Sequence, residues 1–425
     1  MTSHSPPSAP TSIEEAGIGR RMLLDLVLKH MHVQGLETIA ALAARIRLPA
    51  ALVGDAVDEA RELALIQTLG GRGHGLAGEL RYDLTDKGHD RAVEALDRSR
   101  YIGPAPVPLA AFRAQVERQR LAMETVHSDE LARCFRHLVL PDELLQRLGP
   151  AINSAKSILL YGRSGNGKTA IAEALRDALS DRIAIPFALD IDGQVVSFYD
   201  EHVHGPLAES NEPGLELRCR GNPDRRWLTC RRPVSVVGGE LTLDMLELSY
   251  DEGAGFYEAP TQLKVTNGIF LIDDFGRQRT SAASLLNRWI VPLERGIDYL
   301  ALRTGRKIQV PFDALVIFST NLTPSDVADE AMLRRLYYKI EVPPPTTEDY
   351  AHIWRLLCAE RELRLPDELL PFLERAYYAE NRYPRAGYHP RYLVDQVTAI
   401  CQYRGIPPRL DPDLVQLAWK NLFAD

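Results

Sequence analysis

The chain has 425 residues, of which 45% are apolar and 25% charged, and its formal net charge is −8. That length holds about two to four domains, and the composition is that of a globular protein rather than a fibrous or disordered one. The acidic balance argues against a nucleic-acid-coating or membrane-surface protein, and no apolar run approaches the ~20 residues needed to cross a bilayer.

Residues 1–12 begin Met1-Thr-Ser-His-Ser-Pro-Pro-Ser-Ala-Pro10, a polar, proline-rich stretch without the apolar run of a secretory signal, and are expected to form a disordered lead. The five cysteines, Cys134, Cys219, Cys230, Cys358 and Cys401, are scattered and lack zinc-ligand spacing. They read as isolated, mostly core-packed thiols of a reducing compartment, so a cytoplasmic protein is expected. Residues 13–100 form the first unit. Met22-Leu-Leu-Asp-Leu-Val-Leu28, Thr38 to Arg45 and Ala50 to Ala64 read as three helices, the third with Leu52, Val53, Val57 and Leu63 on one face. Two strands, Leu65 to Leu69 and Leu80 to Leu84, flank the tip Gly70-Gly-Arg-Gly-His-Gly75, and a helix from Thr85 to Leu96 closes the unit. This order resembles a winged helix-turn-helix domain. Its 12 Lys and Arg stand against 14 Asp and Glu, and Asp55, Asp58, Glu59 and Glu62 lie on the would-be recognition helix, where phosphates would repel them. Only Arg72, His74 and Arg81 around the wing favour DNA. A protein-docking role is therefore preferred, with DNA as the alternative.

Residues 101–126 open with Gly103-Pro-Ala-Pro-Val-Pro108, a stiff, extended linker leading into a connector helix. The nucleotide-binding core is expected over 127–345, and a helical lid over 346–425. Within the core, Ser157-Ile-Leu-Leu-Tyr161 is followed by Gly162-Arg163-Ser164-Gly165-Asn166-Gly167-Lys168-Thr169 and then Ala170-Ile-Ala-Glu-Ala-Leu175: strand, glycine loop, helix. This GxxxxGKT spacing lets loop amides and a helix N-terminus surround phosphates, with Lys168 reaching the β- and γ-phosphates and Thr169 ligating Mg²⁺. Gly268-Ile-Phe-Leu-Ile-Asp-Asp-Phe275 reads as a buried parallel strand delivering carboxylates at its C-terminal edge, Asp273 for Mg²⁺ and Asp274 for the attacking water. Leu315-Val-Ile-Phe-Ser-Thr320 is a third strand ending in Asn321, which either contacts the water or γ-phosphate, or caps a turn.

In that order and spacing these three motifs resemble the Walker A, Walker B and sensor-1 segments of AAA+ ATPases. Asp329-Glu-Ala-Met-Leu-Arg-Arg335 resembles the family's arginine-finger segment, and His389-Pro-Arg-Tyr-Leu-Val-Asp395 its lid helix with a second sensor arginine, here Arg391. The resemblance covers about residues 138–399. It implies an α/β P-loop core with a helical lid, ATP and Mg²⁺ as cofactors, and a homo-oligomeric ring, often a hexamer. Arg334 and Arg335 would then reach a neighbour's γ-phosphate; read without the resemblance, they are a solvated helix end. Asp274 stands where the family usually has Glu, one methylene longer.

Tyr299 to Val310 reads as a hairpin around Thr304-Gly305, and a hairpin just before sensor 1 resembles the branch of MoxR-type ATPases and enhancer-binding activators. Their second insertion is matched to a helix over Gly238 to Leu248 interrupted by residues 251–257, where Phe256 and Tyr257 either form a mobile client-gripping tip or pack into the core. The activators' Gly-Ala-Phe-Thr-Gly-Ala motif is absent. Residues 185–232 form an insertion carrying Arg218, Arg220, Arg225, Arg226, Trp227, Arg231 and Arg232, read as a solvated or subunit-contacting face in preference to a nucleic-acid surface. The function expected is a Mg²⁺-dependent ATPase that remodels a protein partner, with a DNA-binding regulator switched by ATP as the alternative. No membrane role is expected.

Overall fold

The computed structural model describes residues 5–72, 79–179, 181–205, 222–379 and 383–422. Five parallel strands form its central sheet, in the spatial order Tyr338–Glu341, Ile158–Tyr161, Ala314–Thr320, Gly268–Ile272 and Val234–Val237. Every residue of Gly268–Ile272 is buried, as a central strand covered on both faces requires. Period-two alternation divides the strands between two cores. Ile158, Leu160, Ile269, Leu271, Leu315 and Ile317 pack with Leu148, Ile171 and Leu175 on one face. Leu159, Phe270, Ile272, Val316 and Phe318 pack with Leu285, Leu286 and Trp289 on the other. The helix Lys168–Ala178 covers the first face and Ala282–Arg295 the second. All five strands thus point their C-terminal ends to one edge, where the phosphate loop sits.

A second core lies beside this sheet. The strands Val107–Pro108, Ala188–Ile191, Gln194–Ser197, Phe256–Glu258 and Ser249–Asp251 make a mixed sheet, and Arg182–Pro186 pairs antiparallel with Trp227–Arg231. The hairpin Ile297–Ala301/Lys307–Pro311 contributes Leu300, Ile308 and Val310 to the same core. Residues 101–126 are not a spacer. Val107 is a buried edge-strand residue, Phe112 and Val116 are buried in the helix Leu109–Arg118, and Gln119 donates to Ala184 O and Asn267 Oδ1, both at 2.9 Å. The prolines stiffen a segment that is itself packed.

The N-terminal unit has the helices Arg20–Gln34, Ile39–Ile46 and Ala50–Glu62, the antiparallel strands Ile66–Arg72 and Glu79–Leu84, and the helix Asp86–Arg98. Leu52, Val53 and Val57 are buried, but Leu63 lies outside the core with 46% exposure, past the end of its helix. The tip at 73–78, with His74, is outside the described residues. The lid has its own core, in which Trp354, Leu369, Leu393, Val397 and Val415 meet.

Two expectations are corrected here and one open alternative is decided. In the lead, Ala9 N–H donates to Asn222 O and Asp224 N–H to Pro7 O, each at 2.8 Å, so 7–9 is an ordered bridge to 222–224 rather than a free tail. The stretch 238–248 is not a helix: it holds one 3₁₀ turn, Asp244–Leu246, after Gly238-Gly239, whose missing side chains favour turns over helix. Finally, 251–257 is a short antiparallel hairpin, with Tyr257 only 3% exposed in the second core and Phe256 edge-on to Tyr101 at 5.6 Å. Asp251 Oδ1 accepts from Gly253 N at 2.8 Å and Ala254 N at 2.9 Å, and Arg100 N donates to Ala254 O at 2.7 Å, so the turn is fastened to the N-terminal unit. Core packing wins over the mobile tip.

Candidate functional site

Buried Ile158–Tyr161 ends at Gly162, and Gly167 stands as the N-cap of Lys168–Ala178 with φ 87°. Only glycine reaches that backbone region without strain, so the glycines set the loop's path. Lys168 folds back under the loop: its ammonium donates to Gly162 O and Arg163 O, each at 2.9 Å, and to Asn321 Oδ1 at 2.7 Å. Burial pushes the Lys168 pKa down, opposed by the charges of Asp273 and Asp274. The acids come from the end of Gly268–Ile272, which is separated from Ile158–Tyr161 by Ala314–Thr320, the strand that ends at Asn321. Thr169 Oγ1 donates to Asp273 Oδ2 at 2.7 Å, and Asn321 Nδ2 donates to Asp274 Oδ1 at 3.0 Å. Asp274 adopts φ 47°, a costly region for a side chain with a Cβ, and strain of that kind concentrates at functional sites.

These groups open on a cavity of about 1020 Å³, lined by 164–170, Asp273, Asp274 and Asn321 on the core side. Leu138, Val139, Leu140, Ile353 and Leu356 give an apolar wall, and Glu360, Tyr388 and Arg391 come from the lid. Arg391 is largely exposed and lies 3.6 Å from Glu360. Gly162 and Arg163 offer their carbonyls to Lys168, while the Arg163 side chain faces solvent. The fit to a nucleoside triphosphate with Mg²⁺ rests on the donor set: a buried cation, a glycine cradle at a helix start, and two adjacent hard oxygens on Thr169 and Asp273. The cavity volume is of the size that small-molecule sites reach. Among the described residues no group of three or more His, Cys, Asp or Glu could hold a metal by itself.

Arg334 and Arg335 lie elsewhere. Arg334 pairs with Glu330 at 2.6 Å and Arg335 with Glu294 at 2.9 Å, beside a second cavity lined by Lys156, Ser157, Leu293 and Tyr337. The structure therefore does not bring them to the phosphate loop of their own chain. The arginine-rich insertion is corrected in part. Arg226 is buried, forked onto Asp224 at 2.8 Å and donating to Ala16 O at 2.8 Å; Arg232 is buried between Asp181 and Glu124. Trp227 is a core residue, Arg225 and Arg231 are exposed, and 218 and 220 fall outside the described residues. Arg226 and Arg232 are interior struts, because each has found a carboxylate that sequence distance or turn geometry concealed.

Two site residues escaped the sequence reading. Gln278 is buried, accepts from Gly276 N at 2.8 Å and donates to Asp273 O at 3.0 Å and Asp274 O at 3.3 Å, so it ties down the acidic turn. Tyr388 covers the loop at Gly165, where a Cβ would lie 2.1 Å from its ring. The only sequence signal for either was proximity to a motif: Gln278 follows Asp273-Asp274, and Tyr388 precedes His389-Pro390-Arg391.

Residues 346–421, the lid, match a family described as a domain of unknown function (DUF8689). No curated protein matches the sequence. Among solved structures the chain is similar to NtrX from Brucella abortus, at 13% identity and a TM-score of 0.40 over 79% of this chain and 63% of that one. It is also similar to the Thermotoga maritima RuvB Holliday junction branch migration motor, at 16% identity and a TM-score of 0.35, over 67% and 70% of the two chains. The chain thus spans less than two thirds of the first of these neighbours. Its own fold is an α/β core built on a five-stranded parallel sheet covered by helices on both faces, followed by a helical lid and preceded by a small helix–hairpin–helix unit.

Proposed function

We propose that this chain is a Mg²⁺-dependent ATPase of the AAA+ type that couples ATP binding and hydrolysis to remodelling of a protein partner. The observation that carries the proposal is one cluster, in which Lys168, Thr169, Asp273, Asp274 and Asn321 meet at the C-terminal edge of a parallel sheet. Loop amides and Lys168 bind and orient phosphate, which is the larger share of catalysis in phosphoryl transfer. Thr169 and Asp273 would hold Mg²⁺, which when bound neutralises charge on the phosphate oxygens. Asp274 accepts a proton from water at its carboxylate, and Asn321 holds that carboxylate and Lys168 in register. The apolar wall from 138–140 and the first lid helix would take the base. Adenine is preferred from the family resemblance alone.

A ring of copies, and Arg334 and Arg335 acting on a neighbour's site, belong to the same proposal. What supports them is their motif order and their position away from this chain's own phosphate loop. The N-terminal unit resembles a winged helix, and its exposed Asp55, Asp58 and Glu62 favour a protein partner over DNA. The test is phosphate release from ATP by the full chain with and without Mg²⁺. Release that depends on Mg²⁺ and vanishes in Lys168→Ala is expected; the same release in both would end the proposal.

A further inference from the structure

The phosphate loop is held at two places by the segments that carry the lid. At the first, Gly162 lies against Val342, where a Cβ would stand 2.5 Å from the Val342 carbonyl oxygen, and Asn166 Nδ2 donates to that oxygen at 3.3 Å. Val342 follows the edge strand Tyr338–Glu341, and the lid's first helix, Thr347–Glu360, begins five residues on. At the second, Tyr388 N–H donates to Gly165 O at 3.1 Å while its ring lies over the Gly165 Cα, leaving no room for a Cβ. Tyr388 is the N-cap of the lid helix His389–Tyr403, which carries Arg391 into the cavity.

Peptide planarity gives this contact a consequence. The carbonyl of Gly165 and the N–H of Asn166 belong to one trans unit and point in opposite directions. A donor that fixes the carbonyl toward the lid therefore fixes the Asn166 N–H on the loop's other side. Beyond Tyr388 the contacts stay continuous and buried. Its ring meets His389 edge-on at 4.6 Å, His389 Nδ1 lies 2.9 Å from the Tyr378 hydroxyl, and that hydroxyl lies 2.6 Å from the one on Tyr350. Tyr350 belongs to Thr347–Glu360, the helix whose Ile353, Leu356 and Glu360 form the opposite wall of the cavity.

We infer that Tyr388 is a positioning residue that makes closure of the lid depend on occupancy of the phosphate loop. Phosphate held on the loop amides fixes the Gly165–Asn166 peptide, the fixed peptide seats Tyr388, and Tyr388 sets both lid helices through His389, Tyr378 and Tyr350. The inference rests on the nucleotide-site reading above. Because the contact uses a backbone N–H and a ring, and no hydroxyl, phenylalanine should replace it and alanine should not.

Amide hydrogen exchange of the full chain, with Mg²⁺ and ATP at concentrations that saturate each variant, tests this. In the wild type and Tyr388→Phe, ATP should slow exchange both in the helix Lys168–Ala178 and at least threefold in lid peptides. In Tyr388→Ala it should slow exchange in that helix only. Gly165→Ala, which drives a Cβ into the ring from the loop side, should also lose the lid effect while ATP at saturation still slows exchange in Lys168–Ala178, and with that helix protection retained it decides the matter if Tyr388→Ala does not fold. Lid protection of wild-type size in either alanine variant overturns the coupling. ATP that slows exchange nowhere in the wild type overturns the nucleotide-site reading itself.

Discussion

The Lys168 ammonium donates to the side-chain carbonyl of Asn321 at 2.7 Å. The same amide group donates to Asp274 Oδ1 at 3.0 Å, so one neutral side chain, at the end of the strand between them, links the cation of the phosphate loop to the acid after Gly268–Ile272. Cation and acid are held apart by a spacer rather than paired directly, which leaves each free to meet its own part of a phosphate and water assembly.

From this separation follows a difference between two substitutions. On the proposed reading Lys168 would contact ground-state phosphates, whereas Asp274 would act only as water attacks. Asp274→Asn should keep ATP affinity and lower kcat by roughly 10²-fold or more, the usual scale of a lost general base. Lys168→Ala should weaken binding itself. Equal losses of affinity in the two variants, read from equilibrium titration with a fluorescent ATP analogue, would remove Asp274 from the water-orienting role.

Arg335 makes its ion pair with Glu294 and lies apart from its own phosphate loop. If it completes a neighbour's site, Arg335→Ala should bind ATP normally and lose about 10³-fold in turnover, the lower end for an arginine finger. Mixing it with Lys168→Ala subunits should restore part of the rate, since each supplies what the other lacks. Full activity of a strictly monomeric Arg335→Ala protein would exclude an arrangement in trans.

How much of this was legible in the sequence depends on how local the physics is. The phosphate loop, the apolar strand before Asp273 and the hairpin at 297–311 were readable, because spacing, burial period and turn residues all lie within a dozen positions. The fate of the arginines was not. Arg232 is buried against Asp181 and Glu124, 51 and 108 residues away, and nothing in a local window distinguishes it from exposed Arg231. The aromatic pair Phe256 and Tyr257 was ambiguous for the same reason: its neighbours Tyr101, Tyr250 and Arg303 come from three different segments. The mistaken helix at 238–248 shows the opposite failure. The helix there was matched from the family resemblance rather than from local signals, and the Gly238-Gly239 start and a single 3₁₀ turn prevailed.

Arg226 and Asp224 are almost wholly buried, their side chains 4% and 3% exposed, and Arg226 also holds Ala16 O and Pro106 O. The pair fastens the N-terminal unit to the second core. Asp224→Ala strands a buried guanidinium and should cost about 3–5 kcal/mol in chemical denaturation. Asp224→Leu combined with Arg226→Met should recover much of that loss, though Ala16 and Pro106 would still lack their donor. A single variant as stable as the wild type would show that the guanidinium reaches water.

Stability should depend on pH through two interior histidines. Burial pushes both His204 and His389 down to about 4. Between that value and the ordinary ~6.5 the unfolded chain binds more protons than the folded one, so stability present above pH 6.5 is lost as pH falls toward 4. Glu124, pushed up to about 7 by burial and by Asp181, acts in the opposite sense, adding stability as pH falls from 7 toward 4.5. The discriminating measurement is therefore a difference. The melting temperature of His204→Gln/His389→Gln should fall less steeply below pH 6.5 than that of the wild type. Parallel profiles would mean that neither imidazole is kept neutral by the fold.

The last prediction separates a packed hairpin from a gripping one. Tyr257 is buried in the second core, stacks edge-on with Tyr250 at 4.8 Å and accepts from Arg303 N at 2.9 Å through its hydroxyl. Phe256 points the other way along the strand and packs against Tyr101, which follows the N-terminal unit and is buried in that unit's core. The two rings thus sit in different cores, as alternation along a strand requires. Tyr257→Ala should cost about 3–5 kcal/mol, the scale of aromatic truncation in a core. Phe256→Ala, at a partly buried position, should cost less and should loosen the N-terminal unit selectively, visible as faster amide exchange in Arg20–Gln34 with the central sheet unchanged. Full stability of the double alanine variant, with loss only of partner-stimulated ATP turnover, would return both rings to the client-gripping role that their packing argues against.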